Sequence, residues 1–215
     1  MALAANPRTR ARAQYLVRGL YGMADASVPG GDVIALGHTL LEAGCTVLQL
    51  RAKDWEGARI RKAAIQLLAA CRAVDSAFIV NDDPALAAEI GAHGVHLGQL
   101  DGDIAEARAL LPDGIIGRSS HSLAQALEAV EQGADYVAFG PVFATDNLSR
   151  RKAVRGVAAL AEVRLALAAH IPMVAIGGIG PENLPLVRRT AVESWAVIHA
   201  VSHAPDPLQA ALQLL

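Results

Sequence analysis

Short apolar runs and longer helix-like segments alternate eight times along this chain, and that alternation restricts its fold more than any other feature. The strand candidates are Gly19–Met23, Thr46–Leu50, Ala77–Val80, Gly94–Leu97, Ile115–Arg118, Tyr136–Phe139, Met173–Ile176 and Trp195–Ile198. Apolar positions recur with helical spacing in Asp32–Ala43, Trp55–Ala73, Pro84–Ile90, Ile104–Leu110, Leu123–Gln132, Val157–Ala168, Glu182–Arg189 and Pro207–Leu214. Strict alternation with short connections demands parallel strands joined by right-handed crossovers. Eight such units at a spacing of roughly 25 residues close a barrel, whereas a flavodoxin-like open sheet uses about five strands. The α/β class and a single (βα)8 TIM barrel over residues 19–215 follow, preceded by an N-terminal arm or extra helix over 1–18.

Composition agrees with a barrel. Hydrophobic residues make up 53% of the 215 and aromatics only 4%. The core must therefore be Ala, Val, Ile and Leu, as in parallel strands covered on both faces. So few aromatics exclude nucleic-acid binding by base stacking, and a net charge of −2 gives no general attraction to polyanions. Arg8, Arg10, Arg12 and Arg18 cluster near the start. No apolar segment of targeting-peptide length follows them, so they read as a solvated arm or first helix. No apolar run approaches the roughly 18 residues of a membrane span. Cys45 and Cys71 lack metal-type spacing and read as core residues. The expectation is a cytoplasmic protein that meets small molecules, not nucleic acid or membrane, with a homodimer as the assembly to test. Gly44, Gly94 and Gly133 are expected to end helices in the left-handed conformation. The longest irregular stretch, Gly140–Gly156, reads as a functional loop.

In such a barrel the chemistry sits just after each strand. After strand two, alternation puts Gln49, Arg51 and Lys53 on one side. Two cations and an amide there suit a phosphate or diphosphate. After strand three, Asp83 before Pro84 reads as a helix N-cap, leaving Asn81 and Asp82 for other work. After strand four comes Asp101, which either joins Asp82 in holding one Mg2+ or caps the next helix. His96 lies within an apolar strand and reads equally as a core histidine or a ligand. After strand five, Ser122 reads as an N-cap, and Ser119 and His121 face the mouth. Hydroxyl donors to a diphosphate are a simpler reading there than a nucleophile pair, since no G-x-S-x-G elbow is present. The loop after strand six carries Arg150, Arg151, Lys152 and Arg155, a cationic stretch able to close over an anion. After strand seven, Gly177 and Gly178 let a phosphate approach the backbone, and strand eight ends at Ile198 and His199.

Six segments, taken in order, resemble the thiamine phosphate synthase family, which includes thiazole tautomerase relatives. They are QLRAK at Gln49–Lys53, IVNDD at Ile79–Asp83, GVHLGQLD at Gly94–Asp101, GRSSHS at Gly117–Ser122, GADYVAFGPVFAT at Gly133–Thr145 and VAIGGI at Val174–Ile179. The resemblance implies a barrel that joins a hydroxymethylpyrimidine diphosphate to a thiazole phosphate with Mg2+ and releases diphosphate. It implies that Gln49, Arg51, Lys53, Asn81 and Ser119 hold the pyrimidine diphosphate, with Arg51, Lys53, Ser119 and His121 as the catalytic candidates. It assigns Asp82 and Asp101 to Mg2+. Thr145, Asp146, Asn147, Gly177, Gly178, Ile198 and His199 would line the thiazole phosphate site. The chain departs from the family pattern in four places. Leu148 stands where a lysine is expected, His199 replaces a serine, and Ala191-Val192-Glu193-Ser194 replaces Gly-Ala-Asp-Gly. The first strand reads Leu20-Tyr21-Gly22-Met23-Ala24-Asp25 instead of the Leu-Tyr-Leu-Val-Thr-Asp type. Most of these departures fall in the half expected to hold the thiazole phosphate. Two other readings stand beside the synthase: a thiazole tautomerase with His121 as acid and base, and a non-catalytic barrel that binds pyrimidine or thiamine phosphates.

Overall fold

The computed structural model describes residues 12–13, 17–28, 31–145 and 153–215. Eight strands form one closed parallel barrel in sequence order: β1 (Gly19–Asp25), β2 (Val47–Arg51), β3 (Ala77–Asn81), β4 (Gly94–Leu97), β5 (Ile115–Ser120), β6 (Tyr136–Phe139), β7 (Met173–Ile176) and β8 (Ser194–Val197). The described helices are α1 (Val33–Ala43), α2 (Gly57–Ala73), α3 (Pro84–Ile90), α4 (Ile104–Leu110), α5 (Leu123–Glu131), α6 (Gly156–Ala166), α7 (Leu184–Arg188), α8 (His199–Ser202) and α9 (Pro207–Leu212). None of them is long and apolar enough to cross a membrane.

Four strands run further than the apolar pattern predicts, β2 and β3 by one residue and β1 and β5 by two. β1 continues to Asp25 because its backbone stays paired with β2 out to Arg51, and β5 continues through Ser119 and Ser120 against Ala138 and Phe139. Ladder pairing, not hydropathy, sets those ends, and the last residue of each, Asp25, Arg51, Asn81 and Ser120, is polar. The short helix α8 after β8 was not legible as an apolar period. Asp83 and Ser122 cap their helices as expected, accepting from Leu86 N–H and Gln125 N–H. Gly44 and Gly133 sit at φ 99°, but Gly94 does not: it lies inside β4, and Gly91 at φ 66° ends α3 instead. Gly94 is small for another reason, since a Cβ there would strike the Ile115 carbonyl.

The strands split their side chains between two cores. Outward-facing residues such as Leu48, Phe78, Leu97 and Ile116 pack under the helices. Inward-facing Tyr21, Val47, Ile79, Ile115, Tyr136 and Val174 fill the barrel, joined by Ala13 and Val17 from before β1. Ala13 and Val17 are buried, Val17 N–H bonds to Ala13 O at 2.8 Å, and Thr46 fastens the following residue through Arg18 O at 2.7 Å. The segment before β1 thus stoppers the N-terminal end of the barrel, while Arg12 stays exposed. Arg8 and Arg10 lie outside the described residues.

Candidate active site

A cavity of about 620 Å3 opens at the C-terminal end of the barrel, where the strand alternation aims its polar residues. Gln49, Arg51, Asn81, Ser119 and His121 all line it, together with Thr145, Gly177, Gly178, Ile198 and His199. Lys53 does not: β2 ends at Arg51, and Lys53 turns instead to the carboxylates after β3 and β4.

At the cavity floor five side chains from five strands are linked in series. Gln49 Nε2 donates to Tyr21 Oη at 2.8 Å, and Tyr21 Oη meets Tyr136 Oη at 2.8 Å. Tyr136 Oη lies 2.9 Å from His96 Nδ1, and His96 Nε2 lies 2.9 Å from Ser119 Oγ. His96 is therefore neither an idle core residue nor exposed. Burial first, then the nearby Arg118 charge, pushes its pKa down to about 4, so the ring is neutral near pH 7. Burial likewise raises both tyrosine hydroxyls and keeps them protonated. Gly117 makes room for this arrangement, because any side chain there would occupy the Tyr136 ring.

Arg51 is aimed by a residue that the sequence reading passed over. Asp25, buried at the end of β1, accepts from Arg51 Nη1 at 2.7 Å and from Ser27 N–H at 2.8 Å. Two sequence signals pointed to Asp25: parity, since it follows Tyr21 and Met23 on the inward face, and its match to the last residue of the first-strand pattern.

Beside the cavity, Lys53 Nζ lies 2.5 Å from Asp82 Oδ2 and 3.8 Å from Asp101 Oδ2. Burial raises the Asp82 pKa, opposed by the Lys53 charge and helped by the nearby Asp101. Asp82 sits at φ 64°, a left-handed conformation that a non-glycine residue adopts at a cost, and such outliers gather at functional positions. Asp101 does not cap α4: Asp103 does, accepting from Ala105 N–H, and Asp101 instead receives Gly98 N–H at 3.1 Å. Among the described residues no three His, Cys, Asp or Glu side chains converge as a metal site. The two carboxylates do converge on one cation, the Lys53 ammonium. Oxygen donors of that kind suit Mg2+, which keeps most of its shell from water and phosphate.

On the opposite wall Gly177 and Gly178 lie at φ 94° and 65°. Their lack of side chains lets the loop after β6 pack against them: Val142 N–H bonds to Ile176 O at 2.8 Å and Phe143 N–H to Gly177 O at 3.0 Å. A Cβ on Gly177 would meet Pro141, and one on Gly178 would meet Phe143 and Ala144. Arg155 N–H returns to Pro141 O at 2.8 Å, so the described ends of this loop are tied at its base. His121 Nδ1 donates to Gly140 O at 2.5 Å and so fixes the ring against the same loop. Asp146, Asn147, Leu148, Arg150, Arg151 and Lys152 lie outside the described residues. His199, at the mouth, packs edge-on against His203 with centroids 4.7 Å apart.

The Ala191–Ser194 segment and Gly22 lie away from this cavity. Glu193 stands at the N-terminal end of the barrel, where it accepts from Met173 N–H and Arg164 Nη1. Asp135 does the same for Ile116 N–H and Arg108. The Ala191–Ser194 segment therefore alters a structural tie, not the phosphate wall. Gly22 faces the helices, where a side chain would press on Cys45 and Leu40. Of the departures among the described residues, Met23 and His199 line the cavity.

A family model described as thiamine monophosphate synthase matches residues 20–201. A thiamine-phosphate synthase from Bacillus licheniformis is 40% identical over 198 residues, covering 89% of this chain and 87% of that protein. One from Synechococcus is 47% identical over 195 residues, 87% of this chain, which spans only about half (54%) of that longer relative. Among solved structures, a thiamine phosphate pyrophosphorylase from Pyrococcus furiosus superposes with a TM-score of 0.83 at 34% identity, over 97% of this chain and 96% of that one.

Proposed function

The chain belongs to the thiamine monophosphate synthase family, and from that premise we propose that it is a transferase joining a hydroxymethylpyrimidine diphosphate to a thiazole phosphate. The observation that carries this reading is the convergence of Arg51, Asn81 and Ser119 on one cavity wall beside the Asp82–Asp101 pair. In the reaction the bond from the pyrimidine methylene carbon to the diphosphate oxygen breaks, and the electron pair leaves with diphosphate. The pyrimidine amino group supplies electron density to that carbon, and the thiazole nitrogen lone pair forms the new C–N bond. Negative charge grows on the leaving group, so catalysis consists of holding donors there in advance.

Arg51, locked by Asp25, turns its remaining N–H donors to the diphosphate, with Asn81, Ser119 and Lys53 as further donors and Gln49 on the pyrimidine. Asp82 and Asp101 would hold Mg2+, which when bound neutralises diphosphate charge. Their charge would then no longer fall on Lys53, freeing its ammonium for the substrate. On the opposite wall Thr145, Gly177, Gly178, Ile198 and His199 would take the thiazole phosphate, with Asp146 and Asn147 completing it and His121 steadying the loop. With Leu148 in place of the expected lysine, turnover would be slower, and Leu148→Lys should raise it. Small metabolites as substrates fit a cytoplasmic enzyme.

Purified protein given both substrates and Mg2+ should release thiamine phosphate and diphosphate in equal amounts. Intact diphosphate binding with no thiamine phosphate formed would overturn the reading.

A further inference from the structure

The chain of hydrogen bonds at the cavity floor has a direction, and Gln49 sets it. An amide N–H can only donate, so Tyr21 Oη accepts from Gln49 Nε2. Buried Tyr21 has no other acceptor for its hydroxyl hydrogen among the described residues, so that hydrogen fills the 2.8 Å contact to Tyr136. That leaves the Tyr136 hydrogen for His96 Nδ1 at 2.9 Å. A neutral imidazole carries one ring hydrogen, here placed on Nε2 and donated to Ser119 Oγ at 2.9 Å. Ser119 has no other side-chain partner among the described residues, so its own hydrogen points into the cavity.

We propose that Tyr136 is a positioning residue of the coupling reaction: by donating to His96 Nδ1 it fixes the Nε2–H tautomer and turns the Ser119 hydroxyl into a donor aimed at the leaving diphosphate. Tyr136 is fully buried and spends its one hydroxyl hydrogen on His96, so it is not itself the diphosphate's donor. It acts through two other side chains, from a strand that is not next to β1 in the barrel. The proposal rests on the synthase reading for the identity of the acceptor but not for the polarity of the chain. Without this polarity Ser119 could donate to His96 instead, and would present only lone pairs to an anion.

Two measurements test it without turnover. In 15N-histidine-labelled protein, His96 should show the Nε2–H tautomer; an Nδ1–H tautomer would overturn the proposal. Affinity for inorganic diphosphate with Mg2+ should fall roughly tenfold in Tyr136→Phe, about one charge-assisted hydrogen bond. Phe keeps the ring that fills the Gly117 space, so folding is preserved. In a Ser119→Ala background the same change should cost less than about twofold, because the path to the ligand is already cut. Equal losses in both backgrounds would make Tyr136 merely structural and overturn the proposal. Failure to make thiamine phosphate would instead sink the synthase reading alone.

Discussion

Arg51 shows how much of this site depends on a second residue. Its guanidinium is held by one contact to Asp25 and keeps its other donors for the cavity. Lysine would keep the charge but lose the planar fork. Arg51→Lys should therefore weaken pyrimidine diphosphate binding by about tenfold or more, read by calorimetry, and unchanged affinity would mean that charge alone suffices. Asp82→Asn should raise the Mg2+ needed for half-maximal activity by about tenfold or more, since even groups one layer out from a metal cost that much. Gly117→Ala forces a methyl into the Tyr136 ring and should destabilise the fold by about 1–3 kcal/mol. At this scale position at a strand end was readable, since Gln49, Arg51, Asn81 and Ser119 all line the cavity. Lys53, put on the same side as Gln49 and Arg51 by alternation, does not, because β2 ends before it. Tyr21, Asp25 and Tyr136 escaped because their roles depend on partners brought across the barrel interior or from the neighbouring strand end, and no local spacing encodes those meetings.

Alternation of apolar runs located all eight strands, since hydrophobic segments must be covered on both faces. It misjudged ends, where polar residues stay in the ladder. It also could not show a device that the units repeat. In three successive strand pairs, the residue entering the even strand accepts a backbone N–H from the odd strand before it: His93 from Phe78, Asp135 from Ile116 and Glu193 from Met173. Arg108 and Arg164 add ion pairs to the second and third of these ties, fixing the preceding helices. Two residues earlier the chain must turn left-handed, at Gly91, Gly133 and Ala191. Ala191 at φ 59° is the one non-glycine among them and carries the strain of its Cβ. Ala191→Gly should stabilise the protein by about 0.5 kcal/mol, after allowing for glycine's greater freedom when unfolded, read as a shift in urea midpoint.

The whole molecule responds to acid through residues on both sides of the barrel sheet. His93 and His96 are both pushed down to about 4, chiefly by burial. Their folded values lie below the unfolded one, so the folded state excludes protons that the unfolded chain accepts. Stability should fall as pH drops from about 6.5 toward about 4, and unfolding at about pH 5.5 should take up protons. An unfolding midpoint that stays flat across that window would show that these rings are not held neutral. The stopper is a second whole-molecule feature. Val17→Ala should cost about 2 kcal/mol, because it opens a void under the interior core.

Among the described residues, that stopper leaves the barrel open at its C-terminal end alone. Two substrates must come in by it, and two products must go out by it. Traffic through one opening runs in sequence: whatever reaches the tyrosines at the floor arrives first and leaves last. In product-inhibition kinetics the enzyme should accordingly show a compulsory order, with the deeper-bound molecule leading and the one nearer His199 following.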